Sequence, residues 1–131
     1  MADSTEKETT NILLYSDDSD FRRNVINAVG IRPGKGMPKI NWVEAATEAG
    51  AVMKYEADDF DLLILDGETQ KVGAMALLRR LEVEFDNLPP SITVIARQQD
   101  SWIARFSGTT KILYYPIDPI EMQETVTELL S

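Results

Sequence analysis

The sequence predicts an α/β fold in which five short parallel strands form one sheet with helices on both faces. Three observations lead there. From Asn11 onward, short aliphatic runs bounded by turn residues alternate with stretches of helical periodicity, the order expected of a covered parallel sheet. The strongest runs, Ile12-Leu13-Leu14-Tyr15 and Phe60 to Leu65, are continuously apolar, as strands buried on both faces are. Both end in acid, the first in Ser16-Asp17-Asp18 and the second in Asp66. Ligand chemistry in open parallel sheets sits at the strands' carboxyl ends.

Each element has a local reason. Met1 to Thr10 is a polar tail of mixed charge, and a single domain is expected over 11–131. After the first strand, Ser19 is a candidate cap for a helix carrying Phe21, Val25 and Val29 at four-residue spacing and stopping at Gly30. Ile31 to Lys39 holds two glycines and two prolines and reads as a loop. Ile40 to Ala46 is the second strand, and Thr47 opens a helix through Val52, Met53 and Tyr55 to Asp58-Asp59. Phe60 to Leu65 is the third strand. Past the loop Gly67 to Gly73, the residues Ala74, Leu77, Leu78 and Leu81 form an i, i+3, i+4, i+7 stripe. Pro89-Pro90 breaks the chain before a fourth strand, Ser91 to Ala96, and a short helix from Ser101 to Phe106 ending at Gly108. Lys111 to Tyr115 is the fifth strand. Asp118-Pro119-Ile120-Glu121 then supplies a cap, a first-turn proline and an acid for a last helix with Met122, Val126 and Leu129 inward.

Composition excludes much chemistry. The 131 residues contain no cysteine and no histidine, which removes disulfides, thiolate zinc sites, cysteine nucleophiles and imidazole bases. We read the chain as a non-enzyme. Twenty-two acids against 13 bases leave a net charge of −9, which opposes binding to a phosphate backbone or an anionic membrane. Neither nucleic acid nor membrane is an expected partner, and protein partners are. With no apolar leader or membrane-length span in the sequence, a cytoplasmic location is expected. The glycines of Gly30 to Gly36 lack the spacing and hydroxyl of a phosphate-binding loop, and Asp17 to Asp20 lack the glycine and distal glutamate of a calcium loop.

Five βα units with right-handed crossovers give a flavodoxin-like, doubly wound sheet of order 2-1-3-4-5. Over Asn11 to Leu130 the chain resembles the receiver domain of bacterial two-component response regulators. The resemblance rests on "NILLYSDDSDFRRNVINAVG", "FDLLILDGE" and "YYPIDPIEM", with Asp17, Asp66 and Tyr115 at equal intervals of 49 residues. It implies Asp66 as the candidate phosphoacceptor, and Asp17, Asp66 and Glu68 as candidates for a weakened Mg²⁺ site. It also implies Pro116 as a candidate cis proline. Three positions depart from the pattern. Ser16 stands where the first acid of the pair is usual, leaving a hydroxyl able to order a metal-bound water. Ile95 or Ala96, according to alignment, stands where the family has a hydroxyl. Tyr115 stands in place of a lysine. Asp18 is expected to face the helix start as a cap rather than replace the missing acid.

These departures imply an atypical, stand-alone receiver with a degraded phosphorylation site, no output module, and an effect exerted through protein contact. A sensor kinase, an output protein or a second copy of the chain are the expected partners. Trp102 and Phe106, four apart on the short helix, are candidate partner-face residues; Arg22-Arg23, Arg79-Arg80, Glu82, Glu84 and Asp86 read as solvated helix faces. Two alternatives stand beside this reading. One is a working phosphoacceptor at Asp66 with Mg²⁺; the other is a small-molecule or flavin binder, whose phosphate Asp17 and Asp18 would repel.

Overall fold

The structure, a computed structural model, describes residues 9–68, 73–97 and 108–131. Its elements in chain order are β1 (Thr9–Tyr15), α1 (Ser19–Val29), β2 (Lys39–Ala45), α2 (Glu48–Ala57), β3 (Leu62–Asp66), α3 (Gly73–Glu84), β4 (Ser91–Ile95), β5 (Lys111–Tyr114) and α4 (Pro119–Leu130). The strands form one parallel sheet of order β2-β1-β3-β4-β5. The strand order therefore switches direction between β1 and β3, the place where such sheets open a crevice for chemistry.

Strand alternation sorts the aliphatic runs onto two faces. Ile12, Leu14, Ile64 and Ile92 pack with Phe21, Val25 and Val29 of α1 and Met122 and Val126 of α4. Leu13, Tyr15, Leu63 and Leu65 pack on the other side with Ala51 and Val52 of α2 and Leu77, Leu78 and Leu81 of α3. Each fully buried leucine or isoleucine contributes about 1.5–3 kcal/mol to this.

Several boundaries differ from the sequence expectation. β1 takes in Thr9 and Thr10, because both pair with β2, at Lys39 and Ile40. Lys39 thereby belongs to a strand, and Ala46 lies outside it. β3 starts at Leu62, not Phe60; Phe60 stacks on Tyr55 at a ring distance of 5.8 Å. β3 also extends to Asp66, whereas β4 stops at Ile95 and β5 at Tyr114. The candidate cap Ser19 is already helical, and the cap of α1 is Asp18, in line with its expected place at the helix start: it has extended backbone and accepts from the Asp20 amide. Asp118 caps α4 as expected, accepting from the Ile120 and Glu121 amides ahead of Pro119. Residues 31–38 dock on α4, where Gln123 and Thr127 both donate to the Pro33 carbonyl at 3.0 Å. The expected helix from Ser101 to Phe106, with Trp102 and Phe106, lies outside the described residues.

Candidate functional site

The site is built where β1, β3 and β5 end. The β1–β3 ladder closes with Tyr15 beside Leu65, so the following residues, Ser16 and Asp66, meet across the switch point. Ser16 Oγ donates to Asp66 Oδ2 at 2.7 Å. The Asp18 amide donates to the same Ser16 oxygen at 2.9 Å, which orients the hydroxyl proton toward the carboxylate. From the other side Tyr115 donates its hydroxyl to Asp66 Oδ1 at 2.6 Å, and the Glu68 amide donates to that oxygen at 2.9 Å. Asp66 is thus a carboxylate only 3% exposed, satisfied by three donors. That is the physical condition for leaving such a group in a protein interior.

Main-chain bonds fix the frame around it. The Ser16 amide donates to Ala45, the Gly67 amide to Val94 and the Tyr115 amide to Ile95, at 3.1, 2.7 and 2.9 Å. The Tyr115–Pro116 peptide bond is cis. The Tyr115 ring lies 5.7 Å from that of Phe21, tilted by 47°. Burial pushes the Tyr115 phenol far above its ordinary pKa, helped by its bond to Asp66 and by the charges of Asp66, Glu68 and Asp18. It therefore remains a proton donor and a neutral group. Burial also raises the Tyr15 phenol, followed by the charges of Glu48, Asp17 and Asp66.

The remaining sequence-derived positions fall around this centre. Asp17 is exposed beside Ser16. Glu68 is exposed and turns its carboxylate onto the Ala96 amide at 3.0 Å. Ile95 ends β4 fully buried and Ala96 follows it in the open; neither offers a side-chain donor. Arg22 corrects the expectation of a solvated pair. Its side chain is only 17% exposed and pairs with Glu44, while it also donates to the Ser16 carbonyl at 2.6 Å. Its place in the first turn of α1 aims it at the ends of β1 and β2. Arg23, 64% exposed, keeps to the surface as expected.

Asp66 by itself offers a divalent cation little. A hard cation wants several anionic or carbonyl oxygens with free lone pairs, whereas Oδ1 of Asp66 already accepts two bonds and Oδ2 one, leaving about one of the carboxylate's four lone-pair sites open. Among the described residues, no group of three or more acids is placed to hold a metal ion. The Ser16 hydroxyl serves Asp66 directly. Sequence reasoning missed the Glu68 side chain's bond to Ala96 and the tight seat of Gly67. The glycine between two acids at a strand end was the available signal for the second.

No family model matches the chain. It is similar to a protein of Mycobacterium tuberculosis strain H37Rv described as an uncharacterized response regulatory protein, 34% identical over 119 residues that span 91% of this chain and 90% of the relative. A protein so described in strain CDC 1551 matches to the same extent. Among solved structures, a two-component response regulator from Clostridium difficile superposes with a TM-score of 0.75 at 20% identity, over 92% of this chain and 95% of that one. The receiver domain of NtrX from Brucella abortus gives 0.73 at 17% identity, over 91% and 97%. A CheY-like receiver domain protein from Methanospirillum hungatei gives 0.73 at 19%, over 93% and 94%. These structural likenesses speak to the fold.

Proposed function

The chain belongs to the response regulators of two-component signalling, and from that premise we propose that it is an atypical receiver whose phosphorylation site no longer supports phosphoryl transfer. It signals by binding other proteins. The observation that carries this reading is the state of Asp66. Phosphoryl transfer to a carboxylate needs fixed groups that neutralise the transferred charge. Here the carboxylate is met by two neutral hydroxyls and an amide, Oδ1 accepting from Tyr115 and Glu68 and Oδ2 from Ser16. The charges bearing on the Tyr115 phenol beside it, those of Glu68 and Asp18, are negative. A neutral phenol stands where the resemblance implies a lysine.

A sensor kinase or an output protein fits this reading as partner, with a second copy of the chain as the alternative. The net charge of −9 disfavours nucleic acid. No helix among the described residues is long and apolar enough to cross a membrane. The reading gives a direct test. Beryllofluoride with Mg²⁺, a phosphoryl mimic, is expected to leave the amide spectrum unchanged. Saturable shifts around Asp66 that vanish in Asp66→Asn would support the working-phosphoacceptor alternative instead.

A further inference from the structure

Beside the Asp18 and Glu68 amides, held by the buried side chains of Ser16 and Asp66, four further amides at the site's rim have acceptors, and one of these acceptors differs in kind. The amides of Ser16, Gly67 and Tyr115 are held by main-chain carbonyls of neighbouring strands. These cannot leave without unzipping the sheet. The Ala96 amide is held by the carboxylate of Glu68, an exposed side chain 28 residues earlier in the chain. A side chain can swing away by rotating about its own bonds.

Glu68 is anchored from both ends. Its own amide donates to Asp66 Oδ1 at 2.9 Å, and its carboxylate accepts from Ala96 at 3.0 Å. It therefore bridges the end of β3 to the end of β4 across the mouth of the site. Its charge also reaches the site, since it is among the groups that raise the Tyr115 phenol.

We propose that Glu68 is an autoinhibitory clasp: its carboxylate occupies, from within the chain, a backbone anion site at the Ala96 amide and keeps the mouth beside Asp66 closed. An incoming oxyanion must displace this carboxylate and overcome its repulsion at the same point. The inference rests on the reading of the rim as closed to phosphoryl transfer and names the residue that closes it.

The test uses amide exchange and inorganic phosphate on the whole chain. In Glu68→Ala, exchange at Ala96 is expected to rise about tenfold, the factor that matches one hydrogen bond of ordinary net worth. The Ala96 resonance should then move saturably with added inorganic phosphate, while in the unsubstituted protein phosphate leaves it in place. Glu68→Gln, which keeps an acceptor but no charge, should fall between the two. Because Glu68 is exposed, neither variant threatens folding, and unchanged exchange at Tyr115 checks that the strand end is intact. Equal Ala96 exchange in all three proteins, or no saturable phosphate shift in Glu68→Ala, would overturn the clasp. Failure of the wider reading would look different, as beryllofluoride shifts in the unsubstituted protein that depend on Asp66.

Discussion

Replacing Gly67 by alanine is expected to cost about 2–3 kcal/mol of folding stability, as overpacking at a closed site does. A Cβ at this position would stand 2.6 Å from Ile95 Cγ2, 2.8 Å from the Val94 carbonyl oxygen and 3.2 Å from Thr93 Cγ2. All three neighbours belong to β4, and the nearest polar one is backbone that already accepts the Gly67 amide at 2.7 Å. Relief therefore requires the ends of β3 and β4 to separate, because no flexible side-chain tip can move aside in their place. The separation would also shift Glu68 away from Ala96. Urea unfolding of Gly67→Ala should show a lower midpoint with an unchanged slope. An unchanged midpoint would mean that the strand ends are looser than the structure has them.

Asp66→Ala should destabilise the chain by about 2 kcal/mol, the scale of losing hydrogen bonds to a charged acceptor. The sign is the informative part. If Asp66 were one of several crowded, repelling carboxylates, its removal would relieve repulsion and raise stability. The structure favours the opposite outcome. Removing the carboxylate strands the hydroxyl protons of Ser16 and Tyr115 and the Glu68 amide. The relief it brings is small, because Asp17, Asp18 and Glu68 are exposed and repulsion from exposed charges is screened. Asp66→Asn keeps the shape and one acceptor oxygen, so it should lose less than Asp66→Ala. Thermal or urea unfolding of both variants measures the order, and a stabilised Asp66→Ala would contradict the hydrogen-bonded assignment.

Much of this was legible in the residues. Continuous aliphatic runs such as Leu62 to Leu65 mark strands buried on both faces, and their order gives a sheet whose switch point holds Ser16 and Asp66. The residue types at 16, 95, 96 and 115 are readable too, so it is plain in the sequence that 95 and 96 carry no hydroxyl and that 115 carries no charge. What could not be read was how the substitutes are used. Whether the Tyr115 hydroxyl reaches Asp66 depends on how β5 lies relative to β3 across β4, and whether Ser16 meets the carboxylate depends on β1–β3 register. Arg22 is written identically to Arg23 in the sequence, yet a rotation of one residue on α1 takes it to the Ser16 carbonyl and Glu44. The Glu68 contact joins residues 28 apart, and spacing alone carries no trace of it. Likewise Asp18 and Ser19 are both good caps by type, and only the backbone angle at Asp18 decides between them.

Asp66 as a hydrogen-bonded acceptor, and not a nucleophile toward phosphorus, is what the proposed function stands on. The most direct measurement is the intact mass of the protein after incubation with acetyl phosphate and Mg²⁺, read before any acyl phosphate can hydrolyse. The account predicts an unchanged mass. A gain of one phosphoryl group that disappears in Asp66→Asn would contradict it.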